Sequence, residues 1–151
     1  GRLTAATTVT KMFLSNSPSS FLFGLGLGSA ETSQFSMFTS DFYVQYGDVL
    51  HYNWFSDSFM LIENGWVGLT LFMLFFISII FSIYKIKREY SDYKDYCIIS
   101  QIFAVLCCVF TIYNGGLRTE AGYLAYFMLS FPFAIYKNEK LIKWRDTICL
   151  K

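Results

Sequence analysis

The side chains best suited to proton transfer lie in the first 63 residues of this sequence. His51 is the only histidine, and histidine is the residue type that titrates closest to neutral pH, so His51 is a candidate general base. Asp57 follows six residues later as a second candidate, and Asp48 is a third. Asp57 could instead cap a helix, and His51 could be a solvated interfacial residue. Residue type alone does not decide which of these three side chains is the general base.

A second group of residues has the chemistry of anion binding. Arg2 carries a planar guanidinium that can grip a phosphate, pair with a carboxylate or reach to a membrane interface. Gly24, Gly26 and Gly28 alternate with leucines, which lets the backbone approach a phosphate or sugar closely, or simply form a tight re-entrant loop. A nucleotide-binding fingerprint needs its third glycine three residues after the second, at position 29, where this sequence has serine, and it needs a βαβ unit that the sequence pattern does not show.

Glu63 is a charged residue in an apolar setting. It stands between Leu61-Ile62 and a long uncharged run, where an ionised carboxylate is costly unless it is paired or faces water. Arg118 and Glu120 lie in the turn after the second apolar run and are predicted to be on the same side of the membrane. We therefore expect them to be supporting polar partners of Glu63.

The composition indicates a chain dissolved in lipid. Hydrophobic residues make up 54% and charged residues 15%, against roughly a quarter charged in soluble domains. The net charge of +1 gives no basic surface for nucleic acid. The four cysteines show no Cys-x-x-Cys spacing and lie far from the histidine, so we expect packed small apolar residues, with no metal and no cofactor.

Two long uncharged runs and a shorter third one predict an all-α integral membrane protein. They cover about residues 64–84, 96–117 and 119–136, and about 20 helical residues cross the apolar core of a bilayer. The turn after the second run is predicted at Asn114, where the helix should stop. Pro132 is expected to kink the third helix.

The flanking segments predict the orientation. Residues 1–63 form a partly helical loop region, with a short helix over Leu3–Leu14 that Ser15–Ser20 ends, and residues 137–151 form a basic tail. Nine of the 12 lysines and arginines lie between the first two runs or in that tail, which predicts a cytoplasmic C-terminus and an extracytoplasmic loop. Because the chain begins with glycine, we expect further transmembrane helices upstream.

Several of these motifs occur in a distinctive order. The order is Gly1-Arg2, a helix, Phe23-Gly24-Leu25-Gly26-Leu27-Gly28, His51, and then Leu61-Ile62-Glu63-Asn64-Gly65-Trp66-Val67-Gly68-Leu69. It resembles the C-terminal part of bacterial O-antigen polymerases and O-antigen ligases, with their large periplasmic loop and last transmembrane helices. In many members the histidine is followed directly by asparagine, whereas His51 is followed by Tyr52-Asn53. Asp57 or Asp48 could occupy the equivalent place.

The resemblance implies a GT-C-like, metal-independent membrane glycosyltransferase. Such an enzyme transfers an oligosaccharide from an undecaprenyl-diphosphate-linked donor to a sugar hydroxyl, at the outer face of the bacterial cytoplasmic membrane. The roles it implies are diphosphate binding for Arg2, Gly24, Gly26 and Gly28, base catalysis for His51 or Asp57, and polar support for Glu63, Arg118 and Glu120.

Among the functions this resemblance allows, we favour a polysaccharide polymerase of the O-antigen or capsule type. An O-antigen ligase with a lipid A core acceptor would use the same donor. A transporter in which Glu63, Arg118 and Glu120 line an ion pathway, or a membrane-assembly subunit without activity, are the non-enzymatic alternatives. The charged residues gather outside the apolar runs, which favours an external site over a pathway through the bilayer.

Overall fold

The protein is built from helices. A computed structural model describes the backbone of residues 4–149, with their side chains except at 36, 53, 91, 121 and 143–149. It is 83% helical, with no strand among the described residues, which confirms the predicted all-α class. The helices are α1 (Ala5–Val9), α2 (Pro18–Phe23), α3 (Asp41–Leu50), α4 (Ser56–Glu89), α5 (Lys94–Tyr113) and α6 (Glu120–Cys149).

The N-terminal helices follow the predicted pattern with one difference. α1 continues directly into π-helical turns over Thr10–Leu14, so the described part of the predicted Leu3–Leu14 segment is helical. The predicted break at Ser15–Ser20 is shorter, because α2 begins at Pro18. The fixed φ of proline suits the first turn of a helix, where its missing N–H costs nothing.

Two helices are long and apolar enough to cross a membrane. They are α4, with 34 residues and a mean hydropathy of 2.4 over its best window, and α5, with 20 residues and a value of 2.1. The predicted 64–84 run lies inside α4, which begins at Ser56, since its first turns pack under the N-terminal segment. α5 ends at Tyr113, and the Asn114 side chain accepts the Gly116 N–H at 2.8 Å. The prediction that the helix stops here is confirmed.

The three long helices form one bundle. Its apolar core contains Phe76 of α4, Ala104 and Cys107 of α5, and Leu129 of α6. The Ser100 hydroxyl donates to the Met128 carbonyl at 2.7 Å and joins α5 to α6. Cys97 and Cys107 are buried as free thiols, so both pack as small apolar residues, as predicted.

The bundle has two chemically different ends. At the first, which we name the loop end, the start of α4 meets the α5–α6 turn, because Ser56 Oγ donates to the Asn114 carbonyl at 2.9 Å. At the second, the basic end, Tyr93 Oη donates to Glu139 Oε1 at 2.7 Å. Residues 4–55 fold over the loop end, where Val9, Leu14, Ala30, Tyr52, Phe59, Leu61 and Ile62 form a second apolar core.

Candidate functional site

A break in α4 receives the glycine-rich loop. Gly65 adopts φ 63° and ψ −164°, which is not helical, so backbone carbonyls before it lack their usual partners within the helix. Two of these carbonyls bond to the loop instead. The Leu25 N–H donates to the Ile62 carbonyl at 2.7 Å, and the Gly26 N–H donates to the Glu63 carbonyl at 3.2 Å.

Two glycines allow the loop and the helix to approach this closely. A Cβ on Gly24 would lie 2.6 Å from the carbonyl of Glu63, and a Cβ on Gly65 would lie 2.6 Å from the nitrogen of Gly24. Both glycines also have positive φ, 74° and 63°, a conformation that side-chain-bearing residues adopt at a cost. Sequence and backbone geometry therefore require glycine on both sides of this contact.

The Glu63 carboxylate completes the attachment of the loop. Its Oε1 accepts the Gly28 N–H at 3.0 Å, and the Glu63 residue is 9% exposed. A buried carboxylate is tolerated where a hydrogen-bond donor is supplied in this way. The Glu63 carboxylate thus serves as a hydrogen-bond acceptor for the glycine loop.

The backbone N–H groups of the three glycines all have partners within the chain. The Gly24 N–H donates to the Ser20 carbonyl, and those of Gly26 and Gly28 donate to Glu63. The three N–H groups assigned to a diphosphate are therefore already bonded within the chain. The glycines shape the loop and let it contact α4. The sequence predicted a close backbone approach and left open whether a ligand or a tight re-entrant loop required it.

Arg118 is close enough to Glu63 for the two charges to interact. Its guanidinium carbon is 3.4 Å from the centre of the Phe59 ring, and its Nη1 is 3.7 Å from Glu31 Oε1. Burial lowers the pKa of Arg118, while the negative charges of Glu31 and Glu63 raise it. Arg118 therefore links the α5–α6 turn to both α4 and the glycine loop.

Phe59 and Glu31 belong to this cluster but were not predicted from the sequence, whereas Glu120 was predicted as a partner. Phe59 precedes Glu63 by four residues, a spacing that places both on one helical face and could have indicated the pair. Glu31 follows the glycine-rich loop as its nearest acidic residue. Glu120 is exposed in the first turn of α6, where a carboxylate is favoured by the helix dipole.

His51 occupies an unusual backbone position. With φ 47° and ψ 32° it ends α3 in the left-handed conformation, and it is the only described non-glycine residue with positive φ. Its exposed ring stacks on Trp54, with centroids 4.8 Å apart and planes inclined by 16°. Strained backbone of this kind is typical of residues whose side chain must be aimed.

A cavity of about 390 Å³ opens beside this histidine. It is an open cleft bordered by α1, the α3–α4 connection and the first turn of α4. Its lining residues are Ala5, Thr8, Val9, Met12, Phe13, Leu50, His51, Tyr52, Trp54, Phe55 and Ser58. The volume lies within the range of small-molecule sites, and the aromatic walls with a few polar groups are typical of them.

The two aspartates proposed as alternative bases are placed differently. Asp57 is buried in the first turn of α4, and its Oδ1 accepts the Ser58 N–H at 2.6 Å and the Ser58 hydroxyl at 3.2 Å. Ser58 lines the cavity, whereas Asp57 does not. Asp48 is exposed near the end of α3. Of the three candidates, His51 is the one that faces the cavity.

The loop and the histidine segment are directly connected. Tyr52, the residue after His51, is buried and donates its hydroxyl to the Ala30 carbonyl at 3.0 Å. Burial is the main cause that raises the pKa of Tyr52 to about 12, so the phenol stays protonated and remains a donor. Arg2, the predicted phosphate clamp, lies outside the described residues.

Comparison with known proteins identifies no relative. No protein-family model, no curated protein and no solved structure matches this chain.

Proposed function

We propose that this chain belongs to a bacterial polysaccharide polymerase in the cytoplasmic membrane. Its substrate is an oligosaccharide on undecaprenyl diphosphate, which it transfers to the hydroxyl of a sugar acceptor. The observation that carries the proposal is the position of His51 at an aromatic-lined cavity on the loop end. The order of motifs shared with O-antigen polymerases and ligases supports it.

The proposed arrangement in the membrane uses three spans. α4 and α5 have the required length and hydropathy, and the apolar first half of α6 packs beside them as the third. Lys85, Arg88 and Lys94 are exposed at the basic end, which by the positive-inside rule faces the cytoplasm. The loop end then faces the periplasm, where lipid-linked oligosaccharides are joined.

In the proposed reaction, His51 accepts the proton of the acceptor hydroxyl as that oxygen attacks the anomeric carbon of the donor sugar. The bond between that carbon and the diphosphate oxygen breaks, and its electron pair stays with the diphosphate. Arg2 stabilises this developing charge. Arg2 precedes Ala5 by three residues, and Ala5 lines the cavity.

The polar groups inside the bundle favour an external enzyme site over an ion pathway. Ser100 Oγ donates to the Met128 carbonyl, and Thr111 Oγ1 donates to the Cys107 carbonyl at 2.8 Å. Both hydroxyls are thus used by the helices themselves. The buried charged residues Asp57 and Glu63 lie in the first turns of α4, at the loop end. A transport pathway needs polar groups near the bilayer midplane.

The test is chain extension of a lipid-linked oligosaccharide by the full-length protein in proteoliposomes. His51→Asn removes the base but keeps a residue that tolerates the left-handed conformation, and it should lower kcat by about 10²–10⁴-fold. Arg2→Ala should also inactivate, whereas Lys11→Ala, which removes an exposed cation from the same segment, should not. Asp48→Asn and Asp57→Asn test the alternative bases.

The outcomes separate the functions. Full activity in both His51→Asn and Arg2→Ala removes the assigned roles. An inactive wild-type protein with sugar acceptors, but active with lipid A core acceptor, identifies a ligase. Inactivity with both acceptors contradicts the enzyme proposal and leaves transport or assembly.

A further inference from the structure

Glu63 is connected to His51 through bonds that pass across the glycine loop. Its carboxylate accepts the Gly28 N–H at 3.0 Å. Two residues further along the loop, the Ala30 carbonyl accepts the Tyr52 hydroxyl at 3.0 Å. Tyr52 directly follows His51 in the chain. Three segments distant in sequence therefore share one set of hydrogen bonds.

The residues that form this connection are tightly packed. Ala30 is fully buried and Tyr52 is 3% exposed, so the loop residue and the phenol are enclosed in the second core. The Ser40 hydroxyl donates to the Ser29 carbonyl and accepts the Tyr43 N–H at 3.0 Å, which fixes the start of α3 to the loop. α3 ends at His51. The loop thus holds both ends of the segment that presents the histidine.

We propose that Glu63 is a positioning residue that fixes His51 at the cavity by holding the glycine loop, through Gly28 and Ala30, against Tyr52. The proposal rests on the function assigned to His51 above. The carboxylate acts as a hydrogen-bond acceptor for the loop, and the reacting groups do not touch it. Arg118, between Glu31 and Glu63, keeps this acidic cluster partly neutralised.

If Glu63 has this positioning role, its hydrogen-bond acceptor and not its negative charge should be required for activity. Glu63→Gln keeps a carbonyl oxygen that can accept the Gly28 N–H, whereas Glu63→Leu has similar bulk and no acceptor. Without this acceptor, the Gly28 N–H loses its partner in the chain. The acceptor should therefore matter more than the charge. A residue that transferred protons itself would give the opposite result, since glutamine cannot titrate.

The experiment combines kinetics with hydrogen exchange in the full-length protein held in nanodiscs. Glu63→Leu should lower kcat about tenfold with KM changed less than about twofold, because the base is misplaced while substrate binding remains. Amide exchange over residues 25–30 should accelerate by about tenfold in this variant. Glu63→Gln should restore both to within about threefold of wild type. Glu89→Gln and Glu89→Leu, at an exposed glutamate of the same helix, are the matched controls and should change neither.

A double-mutant cycle tests the path to the histidine. If Glu63 acts through Ala30 and Tyr52, then Tyr52→Phe should lower kcat on its own and add little to Glu63→Leu. Should Glu63→Leu fold poorly, Glu63→Asp provides the weaker version, since one fewer methylene withdraws the carboxylate from Gly28. It should change kcat and loop exchange in the same direction as Glu63→Leu, and by less.

Measuring both kcat and loop amide exchange distinguishes failure of the positioning role of Glu63 from failure of the proposed sugar transfer. Unchanged loop exchange in Glu63→Leu overturns the positioning role, whatever the activity. Equal loss of kcat in the glutamine and leucine variants, with normal loop exchange, also overturns it and indicates direct chemistry by the carboxylate. If wild-type protein transfers no sugar, the proposed function fails, and accelerated loop exchange would still establish that Glu63 holds the loop.

Discussion

The two ends of the helical bundle use polar residues in different ways. At the loop end, Glu63 and Tyr52 are buried and bond to backbone groups more than 20 residues away in sequence. At the basic end, Lys85 and Arg88 are exposed. Buried bonds specify one geometry, whereas solvated charges specify an orientation and little else. The comparison indicates that the loop end is the part of the bundle whose geometry is fixed by buried bonds.

The largest predicted effect comes from the contact between the glycine loop and the break in α4. Gly24→Ala or Gly65→Ala places a Cβ 2.6 Å from backbone atoms at positive φ, and backbone cannot move aside as a side chain can. We expect each substitution to lower the free energy of unfolding by at least about 3 kcal/mol. Denaturant unfolding in detergent micelles measures this change.

Gly28→Ala is the control for that contact. Gly28 also has positive φ, but a Cβ added there would meet no atom within 4 Å beyond its chain neighbours, so only the conformational cost of about 1 kcal/mol should appear. A Gly28→Ala variant as unstable as Gly24→Ala would mean that strain, and not the close approach of loop and helix, sets the stability here.

The next effect compares one arginine at each end. Arg118→Met keeps an apolar stem against Phe59 but removes the charge between Glu31 and Glu63. We expect a loss of about 2 kcal/mol in unfolding free energy. Arg88→Met, at an exposed basic-end position, should stay within about 0.5 kcal/mol of wild type. Equal losses of unfolding free energy in Arg118→Met and Arg88→Met would show that the two ends of the bundle do not differ in this respect.

A smaller effect is expected at Tyr52. Tyr52→Phe removes the bond to the Ala30 carbonyl and should cost about 1 kcal/mol near neutral pH. Because folding raises the pKa of Tyr52 to about 12, this residue's contribution is complete below the ordinary tyrosine pKa of about 10 and falls as pH rises towards 12. The stability difference between wild type and Tyr52→Phe should therefore shrink between about pH 9 and 12. A difference that grows over this range would contradict the raised pKa.

The smallest effect is expected at the basic end, where Tyr93 donates to Glu139. The Glu139 carboxylate raises the pKa of Tyr93 by accepting its proton in a hydrogen bond. The side chain is solvated, so Tyr93→Phe should leave the unfolding free energy within measurement error. A larger loss than that of Tyr52→Phe would show that the basic end also fixes geometry.

The helices were predictable from sequence. The break in α4 at Gly65, where the glycine loop attaches, was not. Long uncharged runs must be helical in an apolar setting, and Asn114 marks the end of α5 through its own side chain. Gly65 carries no such local signal, because its conformation depends on the amides of Leu25 and Gly26 reaching the carbonyls before it.

The site was predictable only in part, because some of its contacts join residues that are far apart in sequence. Its residue types are visible in sequence, and the expected pairing of Glu63 with Arg118 followed from the cost of a charge beside apolar residues. The Glu31 partner and the Tyr52 bond to Ala30 are long-range contacts set by the packing of the second core. Residue spacing does not encode such contacts.

The most direct test of the account is which side of the membrane each end faces. Leu27→Cys at the loop end, where the native side chain is 84% exposed, and Asn138→Cys at the basic end, also exposed, provide matched labelling positions. In spheroplasts, a membrane-impermeant maleimide should label the Leu27→Cys variant directly and the Asn138→Cys variant only after permeabilisation. Direct labelling of Asn138→Cys with protection of Leu27→Cys would place His51 in the cytoplasm and contradict the proposed reaction.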